Sequence, residues 1–289
     1  MKRDAVPRTT HSRQITEKLG RLSARRQEII RPIFEHPRAF VLSSVRDMAK
    51  RLNSDPATVV RIVQKLGFPG FREFQHYLHE LSLAYATSAD TMKRIPRGTG
   101  IPGHVSDSID LDLKNLQALK NTLDRKRIAA AAKQFHSAPR IVIVAGDLAS
   151  VLADYFEYHL VLLGLNAFSA TSSGKIVHLT RTLSNRDVAV AISFRRGLRQ
   201  TVEGAEMARQ RGSYCIAVTD TYLSPLAQIC HETFLAAIES NSYGASYAAP
   251  MALLNAFLGA IGQHRQAQTL RTVKEISEEQ RRGSRWFHQ

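Results

Sequence analysis

The sequence has little cysteine: only Cys215 and Cys230 occur in 289 residues. That is too few for a disulfide framework and too isolated for a four-ligand zinc site, so a reducing compartment is expected. Long apolar runs are missing as well. No stretch approaches about 18 uninterrupted apolar residues, the length of a membrane span. The first residues carry Lys2, Arg3, Arg8 and Arg13 but no signal-peptide core. A cytoplasmic protein with no membrane partner is expected. The eleven histidines are scattered; His76 and His79 can share a helix face but have no third ligand nearby, so neither a metal nor another cofactor is expected. Negative charge is the last scarcity, with 25 Asp plus Glu against 40 Lys plus Arg and a formal charge of +15.

What is present is the composition of a folded chain, 44% hydrophobic and 22% charged, with length enough for two domains. The positive excess favours polyanionic partners. It is concentrated early, since residues 1–100 hold 19 basic and 9 acidic side chains. Pattern divides the chain into residues 20–86, 87–127, 128–265 and 266–289. The first gives short helical periods broken by turn residues. Between Thr87 and His104 lie Pro96, Gly98, Gly100, Pro102 and Gly103 without apolar periodicity, as in a linker. A helix is expected from Val105 through Leu123, and strands alternate with helices after it. The last segment is polar and basic, expected to fray beyond a short helix.

In Ser44–Leu52, Val45, Met48, Ala49 and Leu52 recur at helical spacing, with a serine at the N-cap. Asn53-Ser54 makes a turn, Asp55 is placed to cap, Pro56 occupies the first helical position, and Val59, Ile62, Val63 and Leu66 repeat the stripe until Gly67. Two short helices joined so tightly predict a helix-turn-helix, whose second helix enters the DNA major groove. The outward side chains would be Ser54, Ala57, Thr58, Arg61, Gln64 and Lys65, with Arg61 and Gln64 best suited to read base edges. Arg46, Lys50 and Arg51 on the first helix would meet phosphates. Upstream, Leu22–Glu35 is helical, with Pro32 expected to kink or end it. Downstream, Phe68, Phe71 and Phe74 open a bracing helix and belong to the core.

The second region contains Arg140–Ala145, continuously apolar and β-branched, as in a parallel strand buried on both faces. Helix Ala149–Leu163, strand Asp187–Ser193, helix Arg199–Arg211, strand Tyr214–Thr219, a helix near Ser224 and an apolar helix over Ser246–Ile261 follow. Ligands of such sheets bind at the carboxyl ends of the strands, where helix N-termini offer free N–H groups to anions. Three strand exits carry suitable groups: Gly146 and Ser150; Ser193, Arg195, Arg196, Arg199 and Thr201; Thr219 and Ser224. Any one of these hydroxyls is explained by helix capping; the three together predict a pocket for a phosphate or carboxylate.

The segment Ser54–Phe74, with Thr58-Val-Val-Arg61, Lys65-Leu-Gly-Phe68 and Gly70-Phe71, resembles the helix-turn-helix of the MurR/RpiR family of bacterial transcriptional regulators. The second region resembles the sugar isomerase (SIS) domain that this family carries behind it. The resemblance spans residues 20–265. It implies a helical DNA-binding domain followed by a doubly wound parallel-sheet domain, acting as a homodimer or homotetramer through the SIS domain on a double-stranded operator and sensing a phosphosugar-like anion.

The SIS half departs from the family's pattern. Leu148 stands where a glycine is usual after Gly146, and Arg195 and Arg196 replace hydroxyl-bearing residues. Two readings of those arginines stay open, a bidentate grip on an anionic effector or ion pairs with a partner subunit. Two alternatives to a sensing regulator also stand. An isomerase would need a general base, for which Glu239 and His231 are the candidates; an architectural DNA binder would use the SIS domain only to oligomerise.

Overall fold

A computed structural model of the chain describes residues 15, 18–35, 37–41, 43–84, 100–195, 197–222 and 224–282. They fall into two compact units. One is built on residues 1–111 and includes the short segments 221–224 and 239–245; the other holds the rest.

The first unit is helical. Helix α1 (Ala24–Glu35) and the single turn α2 (Pro37–Phe40) precede α3 (Val45–Arg51), α4 (Pro56–Lys65) and α5 (Phe71–Ala84). Pro32 does not end α1, which runs on to Glu35. Ile30, Ile33, Met48, Ala49, Val59, Ile62, Val63, Phe74 and Leu78 form its core, each essentially inaccessible. Phe68 packs edge-on against Phe74 with centroids 5.1 Å apart and touches Tyr77 at 5.3 Å. These aromatics are core, as their spacing indicates.

Helix α6 (Gly100–Thr122) begins five residues before the expected Val105, so Pro102 and Gly103 form its first turn. Residues 87–99, the rest of the expected linker, lie outside the described residues. Proline is tolerated there because first-turn N–H groups have no intrahelical partner.

The second unit starts with the C-terminal part of α6 and α7 (Arg125–Ser137), and its centre is a five-stranded, wholly parallel sheet of order β2-β1-β3-β4-β5. The strands are β1 (Ile141–Ala145), β2 (Ala167–Ala170), β3 (Val188–Ile192), β4 (Tyr214–Thr219) and β5 (Glu232–Leu235). Ile141 pairs with Ala167 on one side and Val188 on the other, and Val188 pairs with Tyr214. Alternate side chains serve opposite layers. Ile141, Ile143, Val188, Val190, Ile216 and Val218 join Phe135, Phe156 and Phe257 in the larger core, which α7, α8 (Ser150–Leu162) and α12 (Ala248–His264) enclose. The other face presents Val142, Val144, Ala189, Ala191 and Ala217 to α9 (Ser173–Thr180), α10 (Arg199–Gln210) and α11 (Pro225–Ile229). Alanines here let α10 come close. A β-carbon on Gly204 would lie 2.5 Å from Ile176 and 3.0 Å from Val144.

The C-terminal segment does not fray after a short helix: α13 (Gln266–Arg282) is 17 residues long. Among the described residues no helix is long and apolar enough to cross a membrane.

Candidate functional site

Two sites are built by these elements, one in each unit. In the first, the Ser44 hydroxyl caps α3, accepting from the Asp47 N–H at 3.2 Å and donating to the Asp47 carboxylate at 2.6 Å. That hydroxyl holds the Asp47 carboxyl below its usual range. Helix α3 closes with the Ser54 N–H on the Ala49 carbonyl at 2.9 Å, and Asn53 takes a left-handed φ of 49° in the turn. Asparagine is among the few non-glycine residues that adopt this conformation readily. The Asp55 carboxylate then accepts from the Thr58 N–H at 2.8 Å, with Pro56 in the first turn. Its hydrogen bonds from Thr58 keep that carboxyl low as well. Cap, proline and left-handed turn fix the angle between α3 and α4 before any ligand arrives.

With Val59, Ile62 and Val63 buried, α4 turns Ala57, Arg61, Gln64 and Lys65 to solvent; Ser54 and Thr58 are half-exposed beside them. Arg46 and Lys50 are exposed on α3. The Arg61 guanidinium folds back along its own helix, donating to the Ala57 carbonyl and the Thr58 hydroxyl, both at 3.3 Å. Arg51 does something else. It donates one N–H to the Ala39 carbonyl and lies 5.9 Å from the Phe40 ring centre, so it ties α3 to α2 while staying exposed.

In the second unit, the strand order 2-1-3-4-5 reverses direction between β1 and β3, and the crevice outside their carboxyl ends is where ligands of such sheets bind. Gly146 and Ser150 leave β1; Ser193 through Thr201 leave β3; Thr219 ends β4. Gly146 is buried, and a β-carbon there would lie 2.5 Å from both Leu198 and Gln200. The β1 and β3 exits therefore meet. Ser150 is half-buried at the start of α8, after a single 3-10 turn over Asp147–Ala149. Ser193 is buried, and its hydroxyl accepts the Leu198 N–H at 2.9 Å. Arg195 takes a φ of 60°, and its N–H donates to the Asp220 carboxylate at 2.8 Å. Arg199 is exposed at the first position of α10, whose N-cap, Leu198, has no side chain to cap it. Two residues on, Thr201 is fully buried and its hydroxyl has no hydrogen-bond partner among the described residues. Thr219 is buried, its hydroxyl 3.4 Å from the Asp220 carboxylate. Arg196 lies outside the described residues. Ser224, buried and with no hydrogen-bond partner for its hydroxyl among the described residues, falls in the first unit with segment 221–224.

The structure adds residues that sequence reasoning missed. Asp220 anchors the β3 exit; burial pushes its carboxyl up, while the hydrogen bonds from Arg195 and Thr219 act the other way. Tyr247 packs on Phe194 with centroids 5.2 Å apart, and burial, with Asp147 nearby, pushes its phenol up to about 12. Ser173, at the start of α9, donates to the Gln200 side chain. None of these three matches a motif; Asp220 and Ser173 could have been marked by their positions just past strand ends, whereas nothing local marks Tyr247.

The two candidate bases stand elsewhere. His231 directly precedes β5, at the amino end of the sheet and away from the crevice. Its Nδ1 accepts the Cys215 N–H at 2.9 Å, it stacks on Tyr214, and burial lowers its pKa. Glu239 is exposed in segment 239–245, grouped with the first unit. Among the described residues no group of three or more His, Cys, Asp or Glu side chains could hold a metal ion.

A capped helix-turn-helix followed by an α/β domain with a strand-end crevice defines a two-domain DNA-binding regulator. Comparison with known proteins agrees: residues 10–86 match the helix-turn-helix domain of the rpiR family, and residues 134–260 match the SIS domain. The chain belongs to the RpiR family of helix-turn-helix transcriptional regulators. It is 25% identical over 212 residues to an uncharacterized HTH-type transcriptional regulator of Haemophilus influenzae, covering 72% of this chain and 73% of that one. Its fold is similar to the sugar isomerase domain of an RpiR transcription factor from Sphaerobacter thermophilus, with 24% identity, TM-score 0.58, and coverage of 60% of this chain and 98% of that one. It is also similar to the Vibrio vulnificus NanR protein complexed with ManNAc-6P, with 20% identity, TM-score 0.58, and coverage of 93% and 97%.

Proposed function

We propose that the protein is a sequence-specific DNA-binding regulator whose SIS domain senses a small anionic metabolite of the phosphosugar class, and that it acts in the cytoplasm as a homodimer or homotetramer. The observation that carries the sensing half is Thr201. A fully buried hydroxyl without a partner is costly, and this one sits in the uncapped first turn of α10 beside the crevice. A bound anion would satisfy both the hydroxyl and the free N–H groups. The phosphosugar class draws support from NanR, which holds ManNAc-6P.

On DNA, two copies would set their α4 helices in successive major grooves of a near-palindromic operator. Arg61, Gln64, Ala57 and Thr58 would face base edges, with Ser54, Lys65, Arg46 and Lys50 on the backbone. Effector held by Gly146, Ser150, Ser193, Arg195, Arg196, Arg199, Thr201 and Thr219 shifts DNA affinity by its differential affinity for two arrangements of the DNA-binding heads. Residues 87–99 and α6 provide the covalent route between them. Arg196 and Arg195 serve either the effector or a partner subunit.

An enzymatic role is not favoured, because the His231 ring is committed to the Cys215 N–H at the wrong end of the sheet. The test joins the two possibilities. A duplex selected from a random pool is bound by the pure protein and titrated with a panel of sugar phosphates, and the same mixtures are assayed for turnover. The proposal expects a change in DNA affinity with no turnover. Unchanged affinity across anionic metabolites would leave an architectural DNA binder, and steady conversion an isomerase.

A further inference from the structure

The first unit carries an open groove of about 880 Å³ beside the helix-turn-helix. Ser23, Arg25 and Arg26, at the start of α1, form one wall; Asn53, Ser54 and Thr58, the turn and the first turn of α4, form the other. Ile29 and Leu52 lie between them. We propose that Arg25 and Arg26 are a phosphate clamp, gripping the DNA backbone that borders the major groove entered by α4. The inference rests on the DNA-binding reading above and adds to it two residues and one wall of the interface.

Three observations lead there. Neither guanidinium has an ion pair or side-chain hydrogen bond among the described residues, although Arg25 is exposed and Arg26 half-buried beside polar groups. A cation held without a partner at a groove wall is available to an outside anion. Next, the N-terminus of α1 opens on this groove with no acidic residue in its first turn, whereas that of α4 is already capped by the Asp55 carboxylate. The α1 dipole therefore adds to the positive field of the arginines. Lastly, the wall is rigid. Gln27 donates to the carbonyls of Leu19 at 3.1 Å and Leu22 at 2.9 Å, and Ile30 and Ile33 seat α1 in the core. Little backbone order has to be gained when phosphate binds, and the ordering cost falls on the two arginine side chains.

Two carboxylates border the same groove. That of Asp55 is turned onto the Thr58 N–H and spent as a cap. Glu28 is exposed and makes no ion pair among the described residues, so it opposes the clamp. The groove thus holds two cations, one committed anion and one free one, and removing Glu28 should tighten binding.

The experiment uses the full chain, a duplex selected from a random pool and a scrambled duplex of equal length, with affinity measured over a series of salt concentrations. For every DNA phosphate that is no longer neutralised, the slope of log affinity against log salt falls by about 0.9. The double variant R25A/R26A is expected to lower that slope by about 2 on both duplexes and to weaken both by the same factor. R25K/R26K should restore the slope, which also shows that the unit folds, and E28Q should strengthen both duplexes equally. An unchanged slope in R25A/R26A, or a weakening confined to the selected duplex, would overturn the clamp. Failure of the wild-type protein to discriminate the two duplexes would sink the regulator reading instead, while the slope on scrambled DNA still decides for or against the clamp.

Discussion

Arg140 and Asp187, 47 residues apart in sequence, join the amino ends of β1 and β3: Nη2 of the guanidinium lies 2.9 Å from Oδ2 of the carboxylate, and Nε lies 3.3 Å from Oδ1. The Ser184 N–H and hydroxyl donate to the same Oδ2 at 2.7 and 2.8 Å. Each residue immediately precedes its strand, so the pair fixes the register of the two central strands from the end opposite the crevice.

Asp187 is almost wholly buried, and burial alone would raise its carboxyl; the hydrogen bonds from Arg140 and Ser184 outweigh this and hold it below the ordinary range. Its stabilisation is therefore present above the unfolded value of about 3.9 and is lost as pH falls through the lower folded value. Asp187→Asn is expected to cost about 1.5–3 kcal/mol at neutral pH, the worth of hydrogen bonds to a charged group. It should also flatten the acid limb of the stability curve. Urea denaturation at several pH values measures both.

Thr201→Val keeps the volume and removes the buried, unpartnered hydroxyl. Stability should stay level or rise by about 1 kcal/mol, since a desolvated polar group disappears. Effector response on DNA should weaken. A variant that melts earlier would place the hydroxyl in a structural bond instead, and an unweakened response would remove Thr201 from the effector site.

Arg61→Ala should cost about 1–3 kcal/mol on the selected duplex and relax preference at one base pair. Lys50→Ala should weaken all sequences alike and shift the salt slope by about 1. Affinities for a set of single-base operator variants separate the two patterns. Arg61 must leave the Ala57 carbonyl and Thr58 hydroxyl to reach a base, so the bound and free proteins should differ in its rotamer.

Gly204→Ala tests the tight layer beneath α10. Helix propensity favours alanine by about 1 kcal/mol, but a methyl group 2.5 Å from Ile176 must displace its neighbours. Overpacking of this kind costs about 1–3 kcal/mol. Thermal unfolding should therefore show a net loss; a gain would mean that α10 can slide outward freely.

The helix-turn-helix was readable because its signals are local: Asp55, Pro56 and Gly67 punctuate the chain within a dozen residues. Strands β1, β3 and β4 were readable for a different reason, since a strand covered on both faces must be apolar throughout. Edge strands β2 and β5 escaped notice. Each has four residues, and Ser169 in one and Glu232 in the other break the apolar run. The start of α6 was hidden by Pro102 and Gly103, which read as loop residues although a first turn accepts them. Ser193, Thr201 and Thr219 were legible in the crevice as hydroxyls at strand exits. Asp220 and Tyr247 were not, because what brings them there is the return of distant chain onto the β3 exit.

The hydrogen bond from the Leu198 N–H to the Ser193 hydroxyl has a thermodynamic corollary. That N–H is already satisfied, so an incoming oxyanion that claims it must displace the serine oxygen, and what is gained is only the difference between a charged acceptor and a hydroxyl. Part of the discrimination then falls to atoms of the ligand beyond its anionic head.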